Sequence, residues 1–209
     1  MNETTKGSLS WSGVEKIGAL SSLFRSARAR SGVQYDRSHK GSGGEIDSRK
    51  KGFSMRPVLS LDTTFKNGVS TSFTWDKTTS RTFNLTGTGS VTQEDGGSMS
   101  MSVNYRFSAP QGLKLPFFGQ KLRFESNLDT SLTLRMSASE TRTAATEEGL
   151  QIAEPTSATR ELSLTADATY SFSRNVSGGL QFSFSQTKDE KKDQTRRTIG
   201  LHLTAEFKF

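Results

Sequence analysis

An alternation of apolar and polar residues runs along most of this chain and constrains its fold more than any other feature. It is clear in 53–65, where the apolar positions are Phe53, Met55, Leu59, Leu61 and Phe65. The intervening positions include Ser54, Arg56, Ser60, Asp62 and Thr64. Successive side chains of a β-strand point to opposite faces, so the pattern predicts strands with one apolar and one polar face.

The same alternation divides the chain into eight predicted strands. They are 24–38, 53–66, 69–91, 98–108, 120–142, 158–173, 176–187 and 195–209. A soluble sandwich also alternates, but its strands average about 5–6 residues, whereas a strand that crosses a membrane needs about 9–11. The long strands, with charges in the middle of their polar face, favour an all-β, antiparallel transmembrane β-barrel, of which these strands form a part.

Turn signals set the expected topology. Asn67 and Gly68 are the residue pair that a tight hairpin favours. Outer-membrane barrels have short periplasmic turns and longer external loops. This rule makes 39–52, 93–97, 143–157 and 187–195 external, and 67–68, 109–119 and 173–175 periplasmic. A turn at 76–80 would instead divide 69–91 and give nine strands.

Residues 1–23 lack the alternation and form a separate predicted segment. Trp11, Val14, Ile17, Leu20 and Phe24 recur at roughly helical spacing. The spacing predicts a short helix, or a periplasmic crossover, before a barrel segment that covers 24–209. The first residues also lack an export signal of the usual apolar type. An outer-membrane protein needs one, so we expect either a different start or a fragment of a longer chain.

Composition excludes several other classes. Only 31% of the residues are hydrophobic, yet 14 Phe recur at period two, which a disordered chain does not show. With no cysteine, disulfides and zinc–thiolate sites are absent, and no apolar run is long enough for a membrane helix. The net charge of +7 is scattered over strand ends and loops, which predicts contact with anionic lipid headgroups rather than nucleic acid.

The predicted functional residues are structural. Charges expected to face a wet lumen are Arg123, Glu125, Asp129, Arg135 and Asp167; the carboxylates among these, with Glu161, are candidates for cross-strand pairing with Arg106, Arg123 and Arg135. Aromatics expected at the membrane interfaces are Trp75, Tyr105 and Tyr170. Phe207 and Phe209 end the last strand, as in the signal read by barrel-insertion machinery. His39 and His202 are the two histidines, and neither has the spacing of a nucleophile–base set. We therefore expect no enzyme, no metal and no cofactor.

The order of segments resembles that of a known family. The segments that carry the resemblance are LSWSGVEKI (9–17), YDRS (35–38), PVLSL (57–61), KTTSRTFNL (77–85), YRF (105–107), KLPF (114–117), LDTSLTLR (128–135) and YSFS (170–173). Together they resemble the carboxy-terminal end of the SprA/Sov family, the gliding-motility cell-surface proteins that form the type IX secretion translocon. The resemblance covers nearly the whole chain, although its motifs are degenerate strand patterns.

This resemblance implies a function and a location. The chain would be a wall segment of a protein-conducting channel in the outer membrane of a Gram-negative bacterium. Its partners would be outer-membrane lipid and lipopolysaccharide, the barrel-insertion machinery, accessory proteins of the secretion system and secreted cargo. The alternative is an autonomous eight-stranded barrel with a structural or porin-like role.

Overall fold

The computed structural model describes residues 2–16, 18, 20–42, 45–114, 121–172 and 175–207, and their side chains except at 20, 42, 108–114 and 121–127. Over these residues the chain is all-β, with nine strands and almost no helix. The strands are β1 (Asn2–Ser12), β2 (Phe24–Ser42), β3 (Glu45–Phe65), β4 (Ser70–Asn84), β5 (Ser90–Lys114), β6 (Lys121–Ala144), β7 (Pro155–Ser171), β8 (Val176–Asp189) and β9 (Gln194–Phe207).

The nine strands form one antiparallel sheet in which each strand pairs with its neighbour in sequence. The sheet is open, because β1 pairs only with β2, and β9 only with β8, within the described residues. The sequence predicted antiparallel strands that form part of a β-barrel; the strands are confirmed, and by themselves they form an open sheet rather than a closed barrel. An antiparallel sheet of nine strands also has first and last strands that run in the same direction.

The connections define two ends of the sheet. We call one the short-turn end, where β3 joins β4 through 66–69 and β7 joins β8 through 172–175. There the amide of Phe65 donates to the carbonyl of Val69 over 2.8 Å, so the predicted turn at Asn67 and Gly68 is confirmed. We call the other the long-strand end, where β4 joins β5 through 85–89, β6 joins β7 through 145–154 and β8 joins β9 through 190–193.

The turn between β4 and β5 corrects two predictions. The sequence predicted one strand over 69–91 and a turn at 93–97, but the chain turns at 85–89, and 93–97 lies inside β5. Gly87 and Gly89 have φ of 67° and 69°, backbone conformations that only glycine adopts without steric cost. The alternative turn at 76–80 is also wrong, because these residues pair with β5 throughout.

The ninth strand lies at the amino-terminal edge. Asn2–Ser12, predicted as part of a crossover or helix, is a strand whose eleven residues all pair with β2. Only a 3₁₀ turn at Val14–Lys16 and a four-residue helix, α1 (Leu20–Leu23), are helical before β2. Most of the predicted loop 39–52 is also strand, because β2 extends to Ser42 and β3 begins at Glu45. Among the described residues, no helix is long and apolar enough to cross a membrane.

A bulge in β3 explains one break in the alternation. Between Met55 and Leu59, β3 carries two more residues than either neighbouring strand, so the register shifts on both sides. Val58, an apolar residue at a polar position, lies inside this bulge, and its carbonyl accepts a hydrogen bond from the Ser31 hydroxyl over 2.8 Å. Because the shift is two residues, the two faces keep their identity beyond the bulge.

The sheet is a single layer without a conventional core. No large side chain among the described residues is fully buried, and the few buried residues are mostly small. Many large apolar side chains are instead exposed. A soluble domain buries such a face against a second layer of helices or strands. The fold therefore leaves the covering of one face to something outside the described residues.

Candidate functional site

The register assigns every strand residue to one of two faces. Directly paired residues share a face, so the row Phe73–Met101–Leu134–Leu164–Phe184–Ile199 runs across six strands on one side. We call this side the apolar face. The neighbouring row Thr74–Ser100–Arg135–Ser163–Ser185–Thr198 lies on the opposite side, which we call the polar face.

The apolar face carries a band of nearly constant length. In β5 to β9 it covers 99–107, 128–136, 162–170, 176–184 and 199–207, nine residues in each strand. Nine residues of extended chain span about 26 Å. A tilted strand crosses the hydrocarbon core of an outer membrane with about 9–11 residues. The apolar band is defined by these ranges together with 70–75 of β4. It thus has the length of a membrane crossing.

The band is uncovered. Leu132, Leu134 and Met136 in the centre of the sheet are 45%, 37% and 49% exposed, and Leu203 on the edge strand is 78% exposed. Exposed apolar patches on soluble monomers rarely exceed a few hundred Å². A face of this extent is unstable against water and needs a cover of lipid or protein.

Aromatic side chains lie at both margins of the band, most of them toward the short-turn end. Of the predicted interfacial residues, Trp75 lies at the margin toward the long-strand end, while Tyr105 and Tyr170 lie toward the short-turn end. Tyr170 packs edge-to-face on Phe172 with ring centroids 4.9 Å apart, and Phe24 and Phe65 pack at 4.7 Å near the same end. Two aromatic margins flanking an apolar band are typical of a strand-built membrane wall.

Beyond Trp75 the same face becomes charged. Toward the long-strand end its side chains include Lys77, Arg81, Asp95, Glu140, Arg142, Arg160 and Lys188. Arg81 Nη1 lies 2.7 Å from Glu147 Oε1, and Arg160 Nε lies 3.0 Å from Glu190 Oε1. These strands therefore continue for several residues past the apolar band into a region suited to water and headgroups.

The polar face is built from hydroxyl groups and cross-strand hydrogen bonds. Ser72 and Ser102 share a hydrogen bond of 2.8 Å. Asp167 lies between its two paired neighbours and accepts from Ser131 Oγ over 3.0 Å and from Gln181 Nε2 over 2.6 Å. The polar side chains of this face therefore satisfy one another across strands and remain open to water.

The structure places the predicted lumen charges as follows. Asp129 forms an ion pair with Arg106, whose Nε lies 2.6 Å from Asp129 Oδ1, as cross-strand pairing on one face predicted. Arg135 lies exposed on the polar face between Ser100 and Ser163. The side chains of Arg123 and Glu125 lie outside those that the structure describes. Asp129, Arg106 and Asp167 line one shallow depression of the polar face, whereas Arg135 lies farther along the strands on the same face.

Of the two terminal aromatics predicted as an insertion signal, Phe207 lies within the described residues. Phe207 ends β9 on the apolar face, pairs with Val176 and is 60% exposed. Phe209 lies outside the described residues. The position of Phe207 at the margin of the band and on an unpaired edge is compatible with a residue that another protein or strand contacts.

The last residue of β8, beside the β8–β9 turn, is a carboxylate with a shifted pKa. Asp189 Oδ1 accepts the backbone amides of Lys191 and Lys192, each over 3.1 Å. The hydrogen bond from the Lys192 amide is the main reason that the pKa of Asp189 lies below the usual value for an aspartate. This turn lies beyond the apolar band, so its charge faces solvent.

The two histidines occupy separate positions in the sheet. His39 pairs with Arg49 near the long-strand end, whereas His202 lies on β9 opposite Gln181. Within the described part of the chain, no group of three or more His, Asp or Glu side chains is placed to hold a metal ion. The two histidines thus lie on different strands far apart in the sheet order.

Sequence reasoning missed the charged rows above the band and the aromatics Phe65 and Phe172. Alternation assigns a residue to a face but does not give its level along the neighbouring strand. Only the register brings Lys77, Arg160 and Lys188 to one level. The local signal that could have located them is the change from apolar to charged residues at unchanged parity in β4 and β7.

Comparisons with known proteins leave the family open. No protein-family model matches the sequence, and no curated protein matches it significantly.

Proposed function

We propose that the chain is a wall segment of an outer-membrane β-barrel, and that this barrel is a protein-secretion translocon of the SprA/Sov type. The apolar face contacts lipid, the polar face borders a water-filled lumen, and the wall has no catalytic role. The observation that carries the proposal is the uncovered apolar band, nine residues long in five consecutive strands. The resemblance in segment order supports the choice of family.

The polar face supports the membrane interpretation over a sandwich of two sheets. In a sandwich, the apolar face would be covered by a second sheet and the polar face would be an ordinary surface. The strands would then have no reason to share one apolar length or to carry aromatics at both margins. Both features follow if a bilayer of fixed thickness covers the face.

The two ends support one orientation. At the short-turn end, β3, β4, β7 and β8 turn back close to the apolar band, while β5 and β6 run past it to Lys114 and Lys121. At the long-strand end, β4 to β7 continue well past it. Barrels of the outer membrane have short turns toward the periplasm and longer excursions outside. The proposal therefore places the long-strand end at the cell surface and Phe207 at the periplasmic side.

The open edges support a segment rather than a complete small barrel. Joining β9 to β1 would pair two strands that run in the same direction, whereas single-chain bacterial barrels have an even number of antiparallel strands. Unpaired edges are not stable in hydrocarbon, because each free amide and carbonyl costs several kcal/mol there. In the proposed assembly, further strands cover β1 and β9.

Single cysteines can test the assignment of the faces, because the native chain contains none. Leu134→Cys reports the apolar face and Thr133→Cys, its neighbour, reports the polar face. Each variant carries an environment-sensitive fluorophore and is reconstituted in lipid vesicles. We expect lipid-bound nitroxide to quench the label at 134, and aqueous iodide to quench the label at 133. Equal quenching of both labels by iodide would show that lipid does not cover the apolar face.

A second experiment separates a wall segment from an autonomous barrel. The full chain is refolded alone into lipid vesicles and followed by β circular dichroism and heat-modifiable gel mobility. We expect β structure in bands of high apparent mass and no discrete compact monomer, because the open edges of one copy pair with those of another. A compact, heat-sensitive monomer would favour the autonomous structural or porin-like barrel.

Secretion itself is tested in the cell that makes the protein. Deleting the coding region of β1 to β9 is expected to retain secreted cargo in the periplasm, while unrelated outer-membrane barrels keep their abundance. Unchanged secretion would contradict the translocon assignment without affecting the assignment of the faces.

A further inference from the structure

A depression lies on the apolar face where the apolar band meets the charged rows. Its floor is Gly97 and Ala138, which pair directly across β5 and β6. Its volume is about 530 Å³, and its apolar wall is formed by Trp75, Met99, Met136 and Leu162. Because the two floor residues are small and their neighbours are large, the depression is open toward the band and has room for a hydrocarbon chain.

Basic residues flank the same floor at one level. The register runs Lys77–Gly97–Ala138–Arg160–Lys188 across five adjacent strands. Neighbouring strands lie about 4.8 Å apart, so Lys77 and Arg160 stand about 14 Å apart with the small floor between them. Side chains of this length can reach toward a group placed above the floor from both sides.

The cations at this site are held weakly by their present partners. Arg160 Nε lies 3.0 Å from Glu190, and Lys188 Nζ lies 3.5 Å from Asp193. Ion pairs this exposed contribute little, so a phosphate can replace the carboxylates. The other nearby carboxylates have partners of their own: Asp95 accepts from Thr79 over 2.7 Å, and Glu140 pairs with Arg142.

We propose that this depression binds lipopolysaccharide, with an acyl chain of the lipid against Trp75 and Met136, and a lipid phosphate between Lys77 and Arg160. The inference rests on the proposed function, because only a membrane-spanning sheet with its long-strand end outward brings the site to the outer leaflet. Charge and position both favour this occupant. The cations lie just above an apolar wall, and arginine binds phosphate oxygens through paired N–H groups.

Trp75 provides an intrinsic probe of the site. The Trp11→Phe chain, in which Trp75 is the one remaining tryptophan, is reconstituted in vesicles of brominated phosphatidylcholine. Part of that lipid is then replaced by unbrominated lipid A. We expect lipid A to relieve the quenching of Trp75 more than the same fraction of unbrominated phosphatidylcholine does.

Charge variants test whether the basic row carries the preference. Each basic side chain near an anionic lipid strengthens binding about fivefold, so Lys77→Gln with Arg160→Gln should weaken the preference for lipid A about 25-fold. Arg196→Gln is the matched control, because Arg196 lies at the same end of the sheet on the polar face. It should leave the preference unchanged.

The outcomes separate this inference from the proposed function. Quenching by brominated phosphatidylcholine without relief by lipid A would overturn the lipid site and leave the membrane assignment intact. Relief by inorganic phosphate alone, or equal loss in the Arg196→Gln chain, would also overturn the site. No quenching by any brominated lipid would instead contradict the proposed function.

Discussion

The two faces of this sheet use the same strands but satisfy their side chains differently. On the polar face, Asp167 receives hydrogen bonds from both neighbouring strands and Arg106 pairs with Asp129. On the apolar face, Leu134 lies between Met101 and Leu164 of the neighbouring strands and stays 37% exposed. On the polar face, side chains find partners in neighbouring strands and in water. On the apolar face, the side chains need a layer of lipid or protein to cover them.

This difference shows that the stability of a single-layer sheet depends on the medium that covers its apolar face. Folding of a soluble domain is driven by burial of apolar surface within the chain. Here the described residues bury little, so the stability of the sheet must depend on the medium at its apolar face. Substitutions should therefore have effects set by face and by level along the strand, more than by residue volume.

The largest effect is expected from a charge placed in the middle of the apolar band, where it removes the difference between the two faces. Leu132→Arg places a charge at the centre of the apolar face and should reduce stability in lipid by about 2–4 kcal/mol. Thr133→Arg, one residue away on the polar face, should change it by less than about 1 kcal/mol. Denaturant unfolding from lipid vesicles measures both. Similar losses in the two chains would contradict the assignment of the faces.

A second pair of variants sharpens the contrast along one strand. Phe73→Arg lies within the band, and Thr79→Arg lies on the same face of β4 beyond it, beside Asp95. Charged residues near the interface of a membrane strand cost about 0–1 kcal/mol, so the change at 79 should be small and the change at 73 large. The same unfolding experiment applies. A large effect at 79 would mean that the apolar region extends farther than the band.

A moderate effect is expected on the polar face. Asp167→Ala removes the acceptor of two cross-strand hydrogen bonds and should reduce stability by about 1 kcal/mol. Asp167→Asn keeps one acceptor oxygen and should lose less. Water can replace the lost partner on this face, so insertion into lipid should be unchanged in both variants. Failure of Asp167→Ala to insert would show that the polar face is not bordered by water.

The smallest effect is expected at the end of β8, beside the β8–β9 turn and beyond the apolar band. The pKa of Asp189 is lowered in the folded chain, so its stabilising contribution is present above the ordinary aspartate pKa. That contribution is lost as the pH falls through the lowered value. The amides of Lys191 and Lys192 should report this in an NMR pH titration in micelles. Asp189→Asn should remove the pH dependence while residues of the apolar band keep their shifts.

The alternation in the sequence predicted which residues of β5 to β9 share a face, because a two-residue period is a local property. It did not predict the turn at 85–89. Phe83 and Val91, which pair across that turn, have the same parity, so the alternation continues unbroken through the loop. A loop with an odd number of residues leaves the alternation in step on both sides, so the alternation cannot reveal the loop.

Two other features could not be predicted because they depend on pairing between residues that are far apart in the sequence. Asn2–Ser12 is a strand because β2 offers it an edge, although Glu3, Thr5 and Lys6 give no apolar signal. The basic row of Lys77, Arg160 and Lys188 also required the register of four strand pairs. The ion pair of Arg106 with Asp129 could be anticipated, since the two residues share a face in adjacent strands.

The hydroxyl-rich polar face has a consequence for anything that moves along it. A serine or threonine hydroxyl rotates and can donate or accept, so it exchanges partners with water at little cost. Ser72 with Ser102, and Ser131 with Asp167, already satisfy one another. Such a wall gives a passing protein few apolar contacts, and its charges include pairs that compensate each other, such as Arg106 with Asp129. If this face lines a channel, its hydroxyl groups bind a passing protein weakly and without specificity. Selection of cargo must then take place elsewhere in the assembly.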